Sequence, residues 1–64
     1  SDTITIAVQV NGKLRGEFQA ATGVNEADAV ATAKTQERVK PHIEGKEIVK
    51  AIYVPGKLVN LVVR

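Results

Sequence analysis

Apolar residues recur along this chain in distinct rhythms, and each rhythm predicts an element. From Thr3 to Val10, TITIAVQV, the residues Ile4, Ile6, Val8 and Val10 alternate with Thr3, Thr5, Ala7 and Gln9. A period of two marks a strand with one buried face. Asn11-Gly12 then signals a hairpin. A second strand over about Lys13 to Ala20 puts Leu14, Gly16, Phe18 and Ala20 on one face, with Lys13, Arg15, Glu17 and Gln19 on the other. A two-residue loop would pair Val8 with Arg15, on one face. A three-residue loop with Gly12 in a bulge pairs Gln9 with Lys13 and Val8 with Leu14, and sets Ile4 against Phe18. The bulged loop is therefore expected, with Lys13 and Arg15 opposite the core.

The rhythm changes after Ala21. Thr22-Gly23 reads as a turn, and Asn25 as a helix N-cap with Glu26 and Asp28 in the first turn. Residues 26 to about 36 are Ala-rich, and Ala29, Ala33, Val39 and Ile43 fall on one side at helical spacing. Pro41 interrupts this stretch. Either the helix kinks there, or a short second helix starts near Glu37 with Pro41 in its first turn. Gly45 supplies the stop.

Lys46 to Arg64, KEIVKAIYVPGKLVNLVVR, carries two apolar runs, Ile48–Val54 and Leu58–Val63. Both are rich in Val, Ile and Leu, which suit strands. Pro55-Gly56 fits the centre of a type II turn, with Lys57 exposed beside it. The order is strand, strand, helix, strand, strand. It predicts an α+β fold: a small two-layer sandwich, ββαββ, with a mainly antiparallel four-stranded sheet under one helical layer. The last hairpin is apolar on both faces. Its strands are either central, or their second face meets something outside the chain.

Composition narrows the function. Sixty-four residues predict one domain, near the lower limit for folding without staples. There is no cysteine, so neither disulfides nor thiolate metal sites contribute. No run is long and apolar enough to span a bilayer, and the N-terminus lacks a secretory core, so a soluble intracellular setting is expected. A catalytic reading fails on inventory. The single histidine, His42, reads as a surface residue. Glu26 and Asp28 are explained by the helix start, and Glu44 and Glu47 lack a metal-ligand spacing. No nucleophile has an adjacent base.

The cations are more informative. Lys13, Arg15 and Lys57 lie at or near the two Gly-Lys turns, and Lys46 and Lys50 flank the start of the third strand. Turn lysines commonly only solubilise a loop. Two such turns that converge on one outer surface would make a positive patch for phosphates, with Gly12 letting backbone amides approach. Asn11 and Asn60 would add hydrogen bonds to a sugar or base edge. Tyr53 is the one accessible aromatic, so recognition of backbone and shape is expected over base stacking.

Three segments in this order carry a resemblance: VQVNGKLRG (Val8 to Gly16), IEGK (Ile43 to Lys46) and IYVPGKLVNLVV (Ile52 to Val63). Together they resemble the extreme C-terminal domain of bacterial leucyl-tRNA synthetase, from about Thr3 onward. The resemblance implies that residues 1–64 are one tRNA-binding domain, excised from or tethered to a large cytoplasmic synthetase. It implies contact with the outer corner of tRNA(Leu), where the D and T loops meet, in support of leucine attachment and editing. The partners implied are tRNA(Leu) and the rest of the synthetase chain, with no DNA and no membrane. No cofactor is implied for this domain; ATP and magnesium belong to the parent enzyme. The motif positions match at Asn11, Gly12, Lys13, Arg15, Lys46, Lys57 and Asn60, together with Gly16, Gly45, Pro55 and Gly56. The helix departs from the family, being thinned by Ala29, Ala31, Ala33 and Pro41. The alternative is a β-grasp-like protein-interaction or sulfur-carrier module. A carrier needs a C-terminal Gly-Gly, and this chain ends in Leu61-Val62-Val63-Arg64.

Overall fold

A computed structural model describes residues 2–64. Its elements follow the predicted order: β1 (Thr3–Val10), β2 (Lys13–Ala21), α1 (Glu26–Thr35), α2 (Lys40–Ile43), β3 (Ile48–Val54) and β4 (Leu58–Val63). They form the expected α+β sandwich, a four-stranded sheet with its helices on one face. The strand order is β2-β1-β4-β3. Both hairpins are antiparallel, while the central β1–β4 pair is parallel. Parallel neighbours need a long crossover, here supplied by β2, α1, α2 and β3.

The core lies between the sheet and the helices. Ile6, Val8 and Val10 from β1, Phe18 from β2, and Val59, Leu61 and Val63 from β4 meet Ala29 and Ala33 of α1 and Val39 between the helices. The alternation read from β1 is thus the buried stripe. Alanines on α1 let its backbone sit close over the sheet. Asn25 caps α1 as expected, its Oδ1 accepting from the Asp28 N–H at 2.8 Å. The Pro41 question resolves as two helices. α1 stops at Gln36, whose backbone turns extended (ψ 130°), and α2 begins at Lys40 rather than near Glu37, with Pro41 in its first turn. Gly45 follows α2 with φ +75°, the left-handed stop that its sequence predicts.

The first hairpin departs from the expected register. Its loop has two residues, with Asn11 at φ +53° and Gly12 at φ +83°, the signs of a type I′ turn. Val10 pairs with Lys13 and Gln9 with Leu14. The extra residue sits in the strand instead of the loop. Arg15 is bulged, so that Val8 pairs with Gly16, Ile6 with Phe18 and Ile4 with Ala20. The bulge restores parity, and Gly16, Phe18 and Ala20 do share the core face. Leu14 does not: it lies on the open face and is 66% exposed. Lys13 shares a face with Val10, so the expectation that it lies opposite the core fails.

The second hairpin follows its turn chemistry. Lys57 N–H donates to Val54 O at 3.0 Å, and Gly56 has φ +74°. Its two strands take different places. β4 is central, while β3 is an edge whose outer face leaves Ile52 and Val54 exposed; Val49 is exposed at a bulge. Among the described residues no helix is long and apolar enough to cross a membrane.

Candidate nucleic-acid interface

The parallel β1–β4 pair decides which cations meet. A turn that leaves β1 and a turn that enters β4 must lie at opposite ends of a parallel pair. Asn11, Gly12 and Lys13 therefore sit where β1 and β4 finish, whereas Lys57 sits where β4 starts. Lys57 O accepts from the Ala7 N–H at 3.0 Å, while Lys13 is level with Val10. Three residues of strand, about 10 Å at ~3.3 Å per residue, separate those levels. The expected convergence of the two Gly-Lys turns is overturned by this topology.

A different set of cations shares the end of the sheet marked by Asn11, spread from β2 at one edge to β3 at the other. Ile48 pairs with Val63 and Lys50 with Val62, so the start of β3 lies beside the end of β4. Glu47 and Arg64 extend that pairing through reciprocal backbone hydrogen bonds of 3.1 and 3.0 Å. Lys46, Lys50 and Arg64 thereby join Lys13 around one end of the sheet, with Arg15 two residues further along β2. All of these side chains are exposed except that of Arg15, which is half-buried. Among the described residues the one ion pair is Glu47–Arg64, at 3.9 Å with both partners exposed. Such a pair contributes little to stability; Glu47 offsets one of the four exposed cations at this end, which keeps an excess of positive charge.

Asn11 and Asn60 have a structural occupation that their sequence positions did not reveal. Asn60 Oδ1 accepts from the Gly12 N–H at 3.1 Å, and Asn11 Oδ1 accepts from the Val63 N–H at 2.9 Å. Asn11 N–H also donates to Leu61 O at 3.0 Å. Their carbonyl oxygens are engaged, and only the amide NH2 groups remain as donors for a ligand. Tyr53 is also not the accessible aromatic that the sequence suggested. It is half-buried on the core face, its hydroxyl 3.5 Å from Val24 O.

Arg38 was missed by the sequence reading. The segment joining the helices lies against β2, where a Cβ on Gly16 would meet Val39 Cγ2 at 3.4 Å and Arg38 Cβ at 3.5 Å. Arg38 thus borders a cleft with Leu14, Arg15, Gly16 and Glu17. Spacing alone carried no signal of this, because the approach depends on where α1 stops. Among the described residues no group of three His, Asp or Glu side chains is placed to hold a metal ion.

Known proteins match this sequence and this fold. No family model matches the chain. Leucine–tRNA ligases do. That of Chloroherpeton thalassium is 62% identical over 63 residues, and one from Dehalococcoides mccartyi is 56% identical over 63; each match covers 98% of this chain and 8% of the relative. That of Rubrobacter xylanophilus is 53% identical over 62 residues, 97% of this chain and 8% of the relative. A solved LeuRS of Agrobacterium radiobacter K84, in a ternary complex with tRNA and LeuAMS, superposes with a TM-score of 0.92 and 28% identity, over 100% of this chain and 8% of that one. This chain spans about 8% of the length of the curated relatives it matches. By sequence and by fold it is similar to one short segment of the leucine–tRNA ligases.

Proposed function

We propose that residues 1–64 are one non-catalytic RNA-binding appendix of a leucine–tRNA ligase. It grips the elbow of tRNA(Leu) through phosphates and shape, and supports leucine attachment and editing carried out by the rest of the synthetase. ATP and magnesium act elsewhere in that enzyme. The observation that carries this reading is the placement of Lys13, Lys46, Lys50 and Arg64 at one end of the sheet, in a chain matched to a ligase segment. Four exposed cations at one end of a rigid sheet suit a backbone contact that positions without reading sequence. Asn11 and Asn60 offer their free amide donors beside them, while the Gly12 N–H is already taken by Asn60. Lys57 lies outside this surface. Few cations mean weak binding alone; attachment to a tRNA-bound body raises the effective concentration.

The test removes the segment from the full-length protein. Affinity for a tRNA(Leu) transcript should fall, while leucine-dependent pyrophosphate exchange, which needs no tRNA, should hold. Unchanged affinity would remove the appendix from RNA binding.

A second reading is favoured by one observation. The open sheet face carries Leu14, Ile52 and Val54 exposed, with Leu58 and Val62 half-buried between them. Such a band suits contact with protein. The β-grasp-like module shares this arrangement of two hairpins around a helix, so the fold alone does not separate the readings. Ile52→Glu separates them: it leaves the cationic end intact and places a charge in the apolar band.

A further inference from the structure

We propose that Arg15 and Arg38 form a clamp of two guanidinium groups for a single RNA phosphate, on the outer edge of β2. This rests on the RNA-binding reading above and adds a contact that the lysine cluster does not contain.

The bulge is the first support. Arg15 is the residue left unpaired when Val8 takes Gly16 as its partner. A bulge on an edge strand re-aims a side chain that regular pairing would send elsewhere. Gly16 is the second support. Arg38 and Val39 pack against the strand at this residue, with Arg38 Cβ 3.5 Å and Val39 Cγ2 3.4 Å from the position a Cβ would take. One residue thus turns Arg15, and the next brings Arg38 beside it.

The cleft between them has a volume of about 280 Å³. That is just below the roughly 300–1,000 Å³ of small-molecule sites, so an ionic group fits better than a drug-sized ligand. Arg15, which lines the cleft, has a buried Nε without a hydrogen-bond partner among the described residues. A buried donor on a charged group calls for an acceptor. Neither guanidinium forms an ion pair among the described residues. Glu17 also borders the cleft, and Glu37 borders the adjoining one beside Arg38, but neither carboxylate is within ion-pair distance of a guanidinium among the described residues. Two guanidinium forks that form no ion pair match the oxygens of one phosphate. The site is continuous with Lys13, two residues back on the same strand, which favours a phosphate within an RNA backbone.

The test measures binding of a tRNA(Leu) transcript by the full-length protein carrying Arg38→Ala, Arg15→Ala, both together, or Arg38→Lys, beside Lys13→Ala with Lys50→Ala. Binding is titrated from about 50 to 200 mM salt. Arg38→Ala should bind several-fold more weakly and lose about 0.7–0.9 from the log–log salt slope. Arg38→Lys keeps the charge but lacks the fork, and should recover only part of that loss. The double variant should be little weaker than the weaker single one, because the two side chains share a ligand. Strictly additive losses would mean separate contacts and overturn the clamp. So would wild-type binding by Arg38→Ala while the lysine variant binds weakly. If the lysine variant also binds like wild type, the RNA-binding reading itself falls.

Discussion

Asn11 and Asn60 sit diagonally across the parallel β1–β4 pair, and each gives its side-chain oxygen to the backbone of the other's segment. Asn60 Oδ1 takes the Gly12 amide at 3.1 Å, and Asn11 Oδ1 takes the Val63 amide at 2.9 Å. The strand ladder ends at Val10↔Leu61, so these bonds continue it into the turn with side chains. They fix a hairpin loop to a strand about fifty positions away in sequence. The end of the sheet that collects Lys13, Lys46, Lys50 and Arg64 is thereby held in one shape.

This clasp predicts a graded loss of stability. Asn60→Ala removes the partner of an exposed amide that water can replace, and should cost about 0.5–1 kcal/mol. Asn11→Ala loses the bond to the part-buried Val63 amide and also places Ala at φ +53°, for about 2 kcal/mol in all. Asn11→Gly relieves the backbone conformation but not the lost bond, and should fall between them. At this chain length each kcal/mol shifts Tm by roughly 4–8 °C. Thermal melts in which Asn60→Ala is the most damaging of the three would contradict the assignment.

The opposed turns predict an asymmetry between two lysines that look alike in sequence. Lys13→Ala with Lys50→Ala should weaken binding of tRNA(Leu) and flatten its salt dependence by about 0.7–0.9 in log–log slope per lost phosphate contact. Lys57→Ala should leave both unchanged. Filter binding at several salt concentrations measures each quantity. Equal effects of Lys13 and Lys57 would argue against a surface confined to one end of the sheet.

The parts of this fold that were legible in sequence are those set by local chemistry. The β1 alternation, the Asn25 cap, the Gly45 stop and the Pro55-Gly56 turn each follow from a few adjacent residues. Strand order was not legible, and it governs the site. The Gly-Lys turns are near twins in sequence, yet a parallel β1–β4 pair sends them to opposite ends. The hairpin register failed for a related reason. Parity required one extra residue, and nothing local to Asn11-Gly12 says whether the loop or the strand accommodates it. Asn11 answers through Val63, a contact between distant parts of the chain. Arg38 was invisible because its place depends on α1 ending at Gln36.

Gly16 should accept Ala but not a larger residue. A Cβ there would lie 3.4 Å from Val39 Cγ2, an ordinary contact, so Gly16→Ala should change stability by under about 1 kcal/mol. Gly16→Val adds two methyl groups against the buried Val39 and should cost about 1–3 kcal/mol through overpacking. Chemical denaturation of the two variants checks this. Equal stability of Val and Ala at this position would mean that the segment joining the helices does not pack on β2 as described.

The bulge at Arg15 makes its sharpest prediction at Leu14. A three-residue loop would pair Leu14 with Val8, on the face that forms the core. The observed register pairs it with Gln9 and leaves it 66% exposed on the open face. Leu14→Ser should therefore alter stability by no more than about 0.5 kcal/mol. Leu61→Ala, a truncation at a fully buried position of the central strand β4, should cost about 2–5 kcal/mol. The two leucines are the same residue type in neighbouring hairpins, so the intrinsic strand preference of leucine does not explain the difference; burial does. Urea titrations in which Leu14→Ser costs as much as Leu61→Ala would place Leu14 in the core, return the extra residue to the loop, and take from Arg15 the bulge that turns it toward Arg38.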